Sequence, residues 1–228
     1  MTTSSATERV LFAENVLLKA LLGWYVLFWA AMAIAPLDRP FWMLTNVLPI
    51  ALIGVLIWTH RTYPLSDASY LVITLYLTLH AIGSHYTYTN VPFGFWLEDL
   101  LNFHRNHFDR IVHFFFGFLI IYPLRELLLR STQVTGFWAY VLPISTVMAF
   151  ASVWEILESW VARIATPELG RNALGAQGDI WDAQRDMAAA LYGAVLCTLL
   201  VIAARQLLID DDDDDAEEEP ELEAALGD

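Results

Sequence analysis

Four short runs of this chain hold residues that do chemistry, at spacings that let them cooperate. In His104-Arg-Asn-His107-Phe-Asp109-Arg110-Ile-Val-His113, a carboxylate and an imidazole stand four residues apart. Asp109 and His113 therefore share one helix face. One turn apart, they make half of a metal site, or a base with the acid that orients it. Asn106, Arg110 and His113 follow i, i+4, i+7 and share an overlapping face. A helix-start cap would account for Asp109. It would not account for His113 followed by Phe114, Phe115 and Phe116. Trp154-Glu155-Ile-Leu-Glu158-Ser-Trp160 sets two acids at i, i+3 near the end of an apolar run. The helix C-terminus disfavours negative charge, so such a pair calls for a cation, an arginine or protons. Gly175-Ala-Gln177-Gly178-Asp179-Ile-Trp181-Asp182-Ala-Gln-Arg185-Asp186 places Asp179, Asp182 and Asp186 at i, i+3, i+7. Asp179 or Asp182 could cap the helix that follows; Asp186 lies a turn inside it. In His80-Ala-Ile-Gly-Ser-His85-Tyr-Thr-Tyr88, His85 closes a helix near these groups, and His80, a turn deeper, reads as a packing residue.

Hard carboxylates with one or two imidazoles suit a divalent cation. The expected ligands are His85, Asp109, His113, Glu155, Glu158, Asp179, Asp182 and Asp186, with Arg105, Arg110, Arg171 and Arg185 as counter-charges. The expected catalytic set is Asp109, His113, Glu155, Asp186 and Arg110. Without metal, the same inventory would suit a charged substrate or a buried ion-pair network. The chain has no Gly-rich phosphate loop, GxSxG elbow, HExxH or CxxC.

The elements that must position these residues are apolar. Of the 228 residues 57% are hydrophobic and 17% charged, too apolar for a soluble domain of this length. Six segments approach bilayer length: roughly Asn15 to Ala35, Phe41 to Thr59, Ser66 to His85, Asp109 to Leu129, Gly136 to Val161 and Asp182 to Leu208. The predicted architecture is an all-α, six-transmembrane-helix bundle over 15–208, preceded by a polar segment, 1–14. Pro49, Pro123 and Pro143 could each kink a helix, which membrane helices tolerate. Gly193, seven residues after Asp186, would allow close helix packing. Tryptophans near the run ends suit an interfacial belt. Two long loops, 86–108 and 162–181, lie on the side opposite the termini. Chain reversal puts all four polar runs at that end, forming a polar pocket at one face. Charge in membrane segments is costly and marks function by default.

The net charge of −14 is local. Residues 210–228 hold twelve acids and no Lys or Arg, leaving fourteen acids against twelve bases elsewhere. A like-charge block of this kind predicts a disordered, solvated acidic tail over 209–228. No basic patch points to nucleic acid. The one cysteine, Cys197, cannot form an intrachain disulfide. Six Lys and Arg fall on each side of the bilayer in this topology. Discounting the arginines inside the polar cluster leaves the termini on the cytoplasmic side.

The runs from His85 to Tyr88, Arg105 to His113, Trp154 to Glu158 and Gln177 to Met187 resemble those of the YjdF-like family of bacterial inner-membrane proteins, whose function is unknown. The resemblance covers the third to sixth segments and implies a multi-pass inner-membrane protein. Asp109 with His113, Glu155, Arg171, and Asp186 with Gly193 are also similar to the motif of VanZ-like membrane proteins, tied to glycopeptide-antibiotic tolerance. Ala190 stands where that family tends to carry Asn. The residues together point first to a membrane-embedded, metal-dependent hydrolase or transferase acting on a lipid or lipid-linked envelope substrate. The alternatives are a transporter or binding protein for an ion or charged solute, and a structural protein with satisfied interhelical charge networks.

Overall fold

The computed structural model describes residues 15–226; for Arg205 and residues 208–226 it describes the backbone alone. Among the described residues the chain forms nine α-helices and no strand: α1 (Val16–Met32), α2 (Arg39–Thr45), α3 (Val47–Thr59), α4 (Asp67–His85), α5 (Pro92–Leu101), α6 (Phe108–Thr132), α7 (Trp138–Ile164), α8 (Pro167–Leu174) and α9 (Asp182–Leu226). Four segments among them are long and apolar enough to cross a bilayer: Arg39–Thr59, which is α2 with α3, Phe108–Thr132, Trp138–Ile164, and Asp182–Ala204 within α9. α1 is a shorter apolar helix. The polar segment 1–14 lies outside the described residues, as do the side chains of the acidic run. The backbone stays helical through that run to Leu226, where the sequence predicts a disordered tail.

The second apolar segment is interrupted at Asn46, between α2 and α3, with helical backbone bonds on either side. Asp38 caps α2 by accepting from Phe41 N–H at 3.0 Å, and α2 ends at Asn46. Pro49, in the first turn of α3, has no N–H to offer the Thr45 carbonyl four residues back. His80 of α4 takes that carbonyl through Nε2 at 3.0 Å, and the Tyr88 hydroxyl donates to its Nδ1 at 2.7 Å. His80 is thus a packing residue with both ring nitrogens used. Asn46 completes the joint: its Oδ1 accepts from Trp29 Nε1 at 2.6 Å, and its Nδ2 donates to Ser84 Oγ at 2.8 Å.

α4 packs between α1 and α6. Its buried residues Tyr70, Ile73, Leu77, His80, Ala81 and Ser84 recur every three or four positions. α6 and α9 cross most closely, because both backbones lack bulk at the crossing. A Cβ on Gly117 would collide with the Ala190 carbonyl, and one on Gly193 with the Phe114 carbonyl. Small residues at both faces let membrane helices approach in this way. Ile121, Val147, Ala151, Ala190 and Ala194 then seal the space between α6, α7 and α9. The outer faces carry exposed Leu27, Ile57, Trp58, Leu199 and Leu200, as lipid-facing helices do.

The two stretches read as long loops each contain a helix, a correction to the sequence reading. Pro92 starts α5, which stops at Asn102 in the left-handed conformation, φ 55°. Thr166 caps α8 by accepting from Leu169 N–H, Pro167 occupies its first turn, and Gly175 ends it at φ +60°. A cap, Pro at the start and Gly past the end are the signals that begin and stop a helix. Asn172 of α8 donates to Asp38 Oδ2 at 2.7 Å, so α8 closes down over the start of α2.

Candidate functional site

The charged residues at the start of α6, in the second half of α7 and at the start of α9 meet at one place, but in two chemically distinct halves. The first half is a lattice of guanidinium groups and aspartates. Asp179, two residues past Gln177, accepts from Arg110 Nη2 at 2.5 Å and from Arg185 Nη1 at 2.5 Å, with Arg105 Nη1 at 3.6 Å. Asp182 at the first turn of α9 pairs with Arg105 through its Oδ1, and Arg110 stands 3.3 Å from the same oxygen. Arg105 also donates to the Gly175 and Ala176 carbonyls. The backbone N–H of Trp181, ahead of Arg110 and Arg185, holds the Asp179 carboxyl below the usual carboxylate range. Burial, then the neighbouring charges of Arg110 and Arg105, lowers the pKa of His107. Its Nδ1 lies 3.1 Å from Arg110 Nη1, where a neutral ring accepts.

A backbone latch fixes this half. Asn106 donates through Nδ2 to the Val91 carbonyl and accepts from Phe108 N–H at Oδ1, starting α6. Gln177, at φ 47°, accepts from Asn106 N–H at 3.1 Å and donates to the Asn106 carbonyl at 2.9 Å. The pairing holds the turn before α9 against the turn before α6. Gly175 is required beneath it, because a Cβ there would stand 2.9 Å from Asp109 Oδ2.

The second half lies one turn deeper and lacks guanidinium partners at hydrogen-bond distance. His113 Nε2 faces two acids, Asp109 Oδ1 at 3.8 Å and Glu155 Oε1 at 3.5 Å. Both distances are too long for hydrogen bonds. The guanidinium nearest Asp186 is that of Arg110, whose Nε stands 3.8 Å away. Among the described residues three buried carboxylate oxygens have no hydrogen-bond partner: Glu155 Oε1, Asp186 Oδ1 and Asp182 Oδ2. The side chains of Glu155, Asp186 and Asp182 are 10%, 4% and 7% exposed. Each of two trios, His113–Glu155–Asp186 and Asp109–Asp182–Asp186, offers one ligand atom per residue within 4.8 Å of the others. Both trios use Asp186.

The remaining sequence candidates fall elsewhere. Glu158 Oε1 accepts from Trp154 Nε1 at 2.6 Å and stands in neither trio. His85 Nδ1 bonds the Met32 carbonyl at 2.8 Å, and its ring packs edge-on against Tyr86. It ties α4 to the end of α1, outside both trios. Arg171 sits in the last turn of α8. The sequence reading left out the Asn106–Gln177 latch, for which 71 residues of separation leave no local signal.

A cavity of about 410 Å³ adjoins the deeper half, lined by apolar side chains of α3, α4, α6 and α7 and ending at Asp109 and His113.

Residues 17–206 match the family described as "Predicted membrane protein (DUF2238)". The chain is 34% identical to "Inner membrane protein YjdF" of Escherichia coli (strain K12) over 165 residues, covering 72% of this chain and 78% of that protein. No solved structure matches it. The match spans every helix that builds the charged cluster, and it agrees with the bilayer-length apolar helices: the chain belongs to the DUF2238 family of membrane proteins.

Proposed function

We propose that this chain is a membrane-embedded, divalent-cation-dependent hydrolase or transferase acting on a lipid or lipid-linked envelope substrate. The observation that carries the reading is the set of orphaned, buried carboxylate oxygens of Glu155, Asp182 and Asp186. Buried acceptors without partners are costly, and a cation satisfies several at once. Asp109, Asp182 and Asp186, or His113, Glu155 and Asp186, would hold it. A cation there would polarise a phosphoryl or carbonyl oxygen, or activate water. Arg110, paired to Asp179 and 3.8 Å from Asp186, would orient an anionic head group beside the cation.

In this reading the helices cross the membrane six times. α1 and α4 supply the two crossings beyond the four long apolar segments. Their 17 and 19 residues span about 26 and 28 Å at the helical rise, close to a hydrocarbon core of about 30 Å. The charged cluster then faces the outer side of the inner membrane, where envelope substrates lie, and the termini face the cytoplasm. A transport path would need polar groups through the bundle. The layer of Ile121, Val147, Ala151, Ala190 and Ala194 favours the enzyme over a transporter. The arginine–aspartate lattice favours a structural role for its own half alone.

Element analysis of detergent-purified protein tests the reading. We expect a stoichiometric divalent metal, lost in Asp186→Asn and in Glu155→Gln. A folded wild type free of metal ends it. Impermeant thiol labelling of A216C and L100C in intact cells tests the orientation. Labelling at Leu100 and not at Ala216 is expected; the opposite pattern overturns it.

A further inference from the structure

The cavity beside the cluster narrows the substrate class. Its rim is formed by Leu52 of α3 and Phe150 and Val153 of α7, which are all exposed on the outer surface of the bundle. Its depth is formed by Leu77 and Val112, each 4% exposed. Its inner end is formed by Asp109 and His113. α3 and α7 do not pack closely on each other, so the rim is a gap between two helices that face lipid. His80 and Tyr88 also line the space, but their polar atoms satisfy each other and the Thr45 carbonyl. Apart from Tyr76 and the Asp109–His113 end, the rest of the lining is apolar, and Trp154 Nε1 already donates to Glu158.

An apolar space of this kind stays dry, and it binds apolar molecules. Left empty, its lining would forfeit dispersion contacts. In a bilayer the molecules at the rim are hydrocarbon chains. The volume of about 410 Å³ corresponds to roughly a dozen waters, room for one unbranched chain and too little for two or for a long polyisoprenyl chain. We propose that the cavity holds one acyl chain of a membrane glycerolipid, which enters between α3 and α7 and lays the lipid's polar head against the Asp109–His113 end of the carboxylate cluster. The proposal rests on reading that cluster as the reacting site, and it names an acyl lipid as the substrate class.

The test uses the full chain reconstituted in phosphatidylethanolamine–phosphatidylglycerol vesicles that contain a trace of phospholipid with a diazirine at the middle of one acyl chain. After irradiation, the labelled residues are mapped. Lipid surrounding the bundle reaches exposed Leu199 and Leu200 of α9. Only a chain inside the cavity reaches Leu77 and Val112. Label on Leu77 and Val112 is expected. Label confined to exposed residues overturns the proposal, as does labelling of Leu77 by a diazirine polyisoprenyl phosphate and not by the phospholipid. Ala151→Phe, which fills the cavity from α7, should lower label at Leu77 and Val112 about tenfold and leave Leu199 unchanged. Equal label at Leu77 in that variant also overturns it. If Ala151→Phe does not fold, the wild-type map alone decides. The two readings fail separately. A metal-free protein labelled at Leu77 keeps the chain slot and ends the cation-dependent enzyme. A metal-loaded protein without that label does the reverse.

Discussion

Glu126 and Glu155 are glutamates of one bundle with opposite surroundings. Glu126, toward the far end of α6, accepts from Ser66 N–H at 2.8 Å, Ser66 Oγ at 2.7 Å, Ser69 Oγ at 2.5 Å and Arg130 Nη1 at 3.0 Å. Both of its oxygens are bonded, and the start of α4 is built around them. Glu155, on α7, leaves Oε1 buried without a hydrogen bond, facing an imidazole and other acids. The first arrangement is what a carboxylate needs in order to hold a fold together. The second is a buried demand that the chain leaves unmet, and the proposed cation site rests on it. The arginine–aspartate lattice stands between these cases: Asp179 is paired, and Asp182 is paired at Oδ1 yet open at Oδ2.

The contrast breaks most visibly at Arg105, which bonds Asp182, the Gly175 and Ala176 carbonyls and lies near Asp179. Arg105→Met removes one of the two ion pairs of Asp182 and leaves it Arg110 alone at 3.3 Å, and up to about 3–5 kcal/mol of stability should go with the broken pair. Thermal unfolding in detergent measures this. The Asp182→Asn double variant should recover part of the loss, because the two changes act on one pair.

The two glutamates give the next largest effect. Glu126→Gln removes charge-assisted bonds and should cost roughly 1.5–3 kcal/mol. Glu155→Gln removes a charge from a crowd of acids, so in chelated protein it should be neutral or stabilising. Equal losses in the two variants would erase the distinction between the ends of the bundle.

The smallest effect is the pH response of Asp179. Its folded carboxyl is held below the ordinary carboxylate range. The stability it contributes is therefore fully present above that range, about pH 4, and is lost as pH falls through the depressed folded value. Asp179→Asn should flatten the acid limb of the unfolding profile between these limits. An unchanged limb would remove Asp179 from the lattice.

Much of this fold is legible in the sequence, because apolar runs of bilayer length admit little but helices. The break at Asn46 was hidden because the run stays apolar through it, and Pro49 announces the joint three residues late. The helices α5 and α8 were hidden among Pro and Gly, although Thr166-Pro167-Glu168 followed by Gly175 is a start and a stop. In the site, Asp109 with His113 was readable because helical spacing alone sets the shared face. For His85 spacing fixes no shared face. Its place at a helix end says nothing of direction, and its ring turns to the Met32 carbonyl. Gln177 could not be assigned, since its partner Asn106 is brought near only by the crossing of α6 and α9.

The central claim is that the deeper half of the cluster, and not the lattice, takes a divalent cation. Thermal unfolding of chelated protein with added Mg²⁺, Mn²⁺ or Zn²⁺, compared among wild type, Asp179→Asn and Asp186→Asn, tests it most directly. A cation at a hundredfold excess over its dissociation constant stabilises the folded state by about 2.7 kcal/mol. Wild type and Asp179→Asn should both show a shift of that order with at least one of the cations, and Asp186→Asn should show none. A wild type indifferent to all three cations, or an Asp186→Asn variant that shifts as the wild type does, would contradict the account.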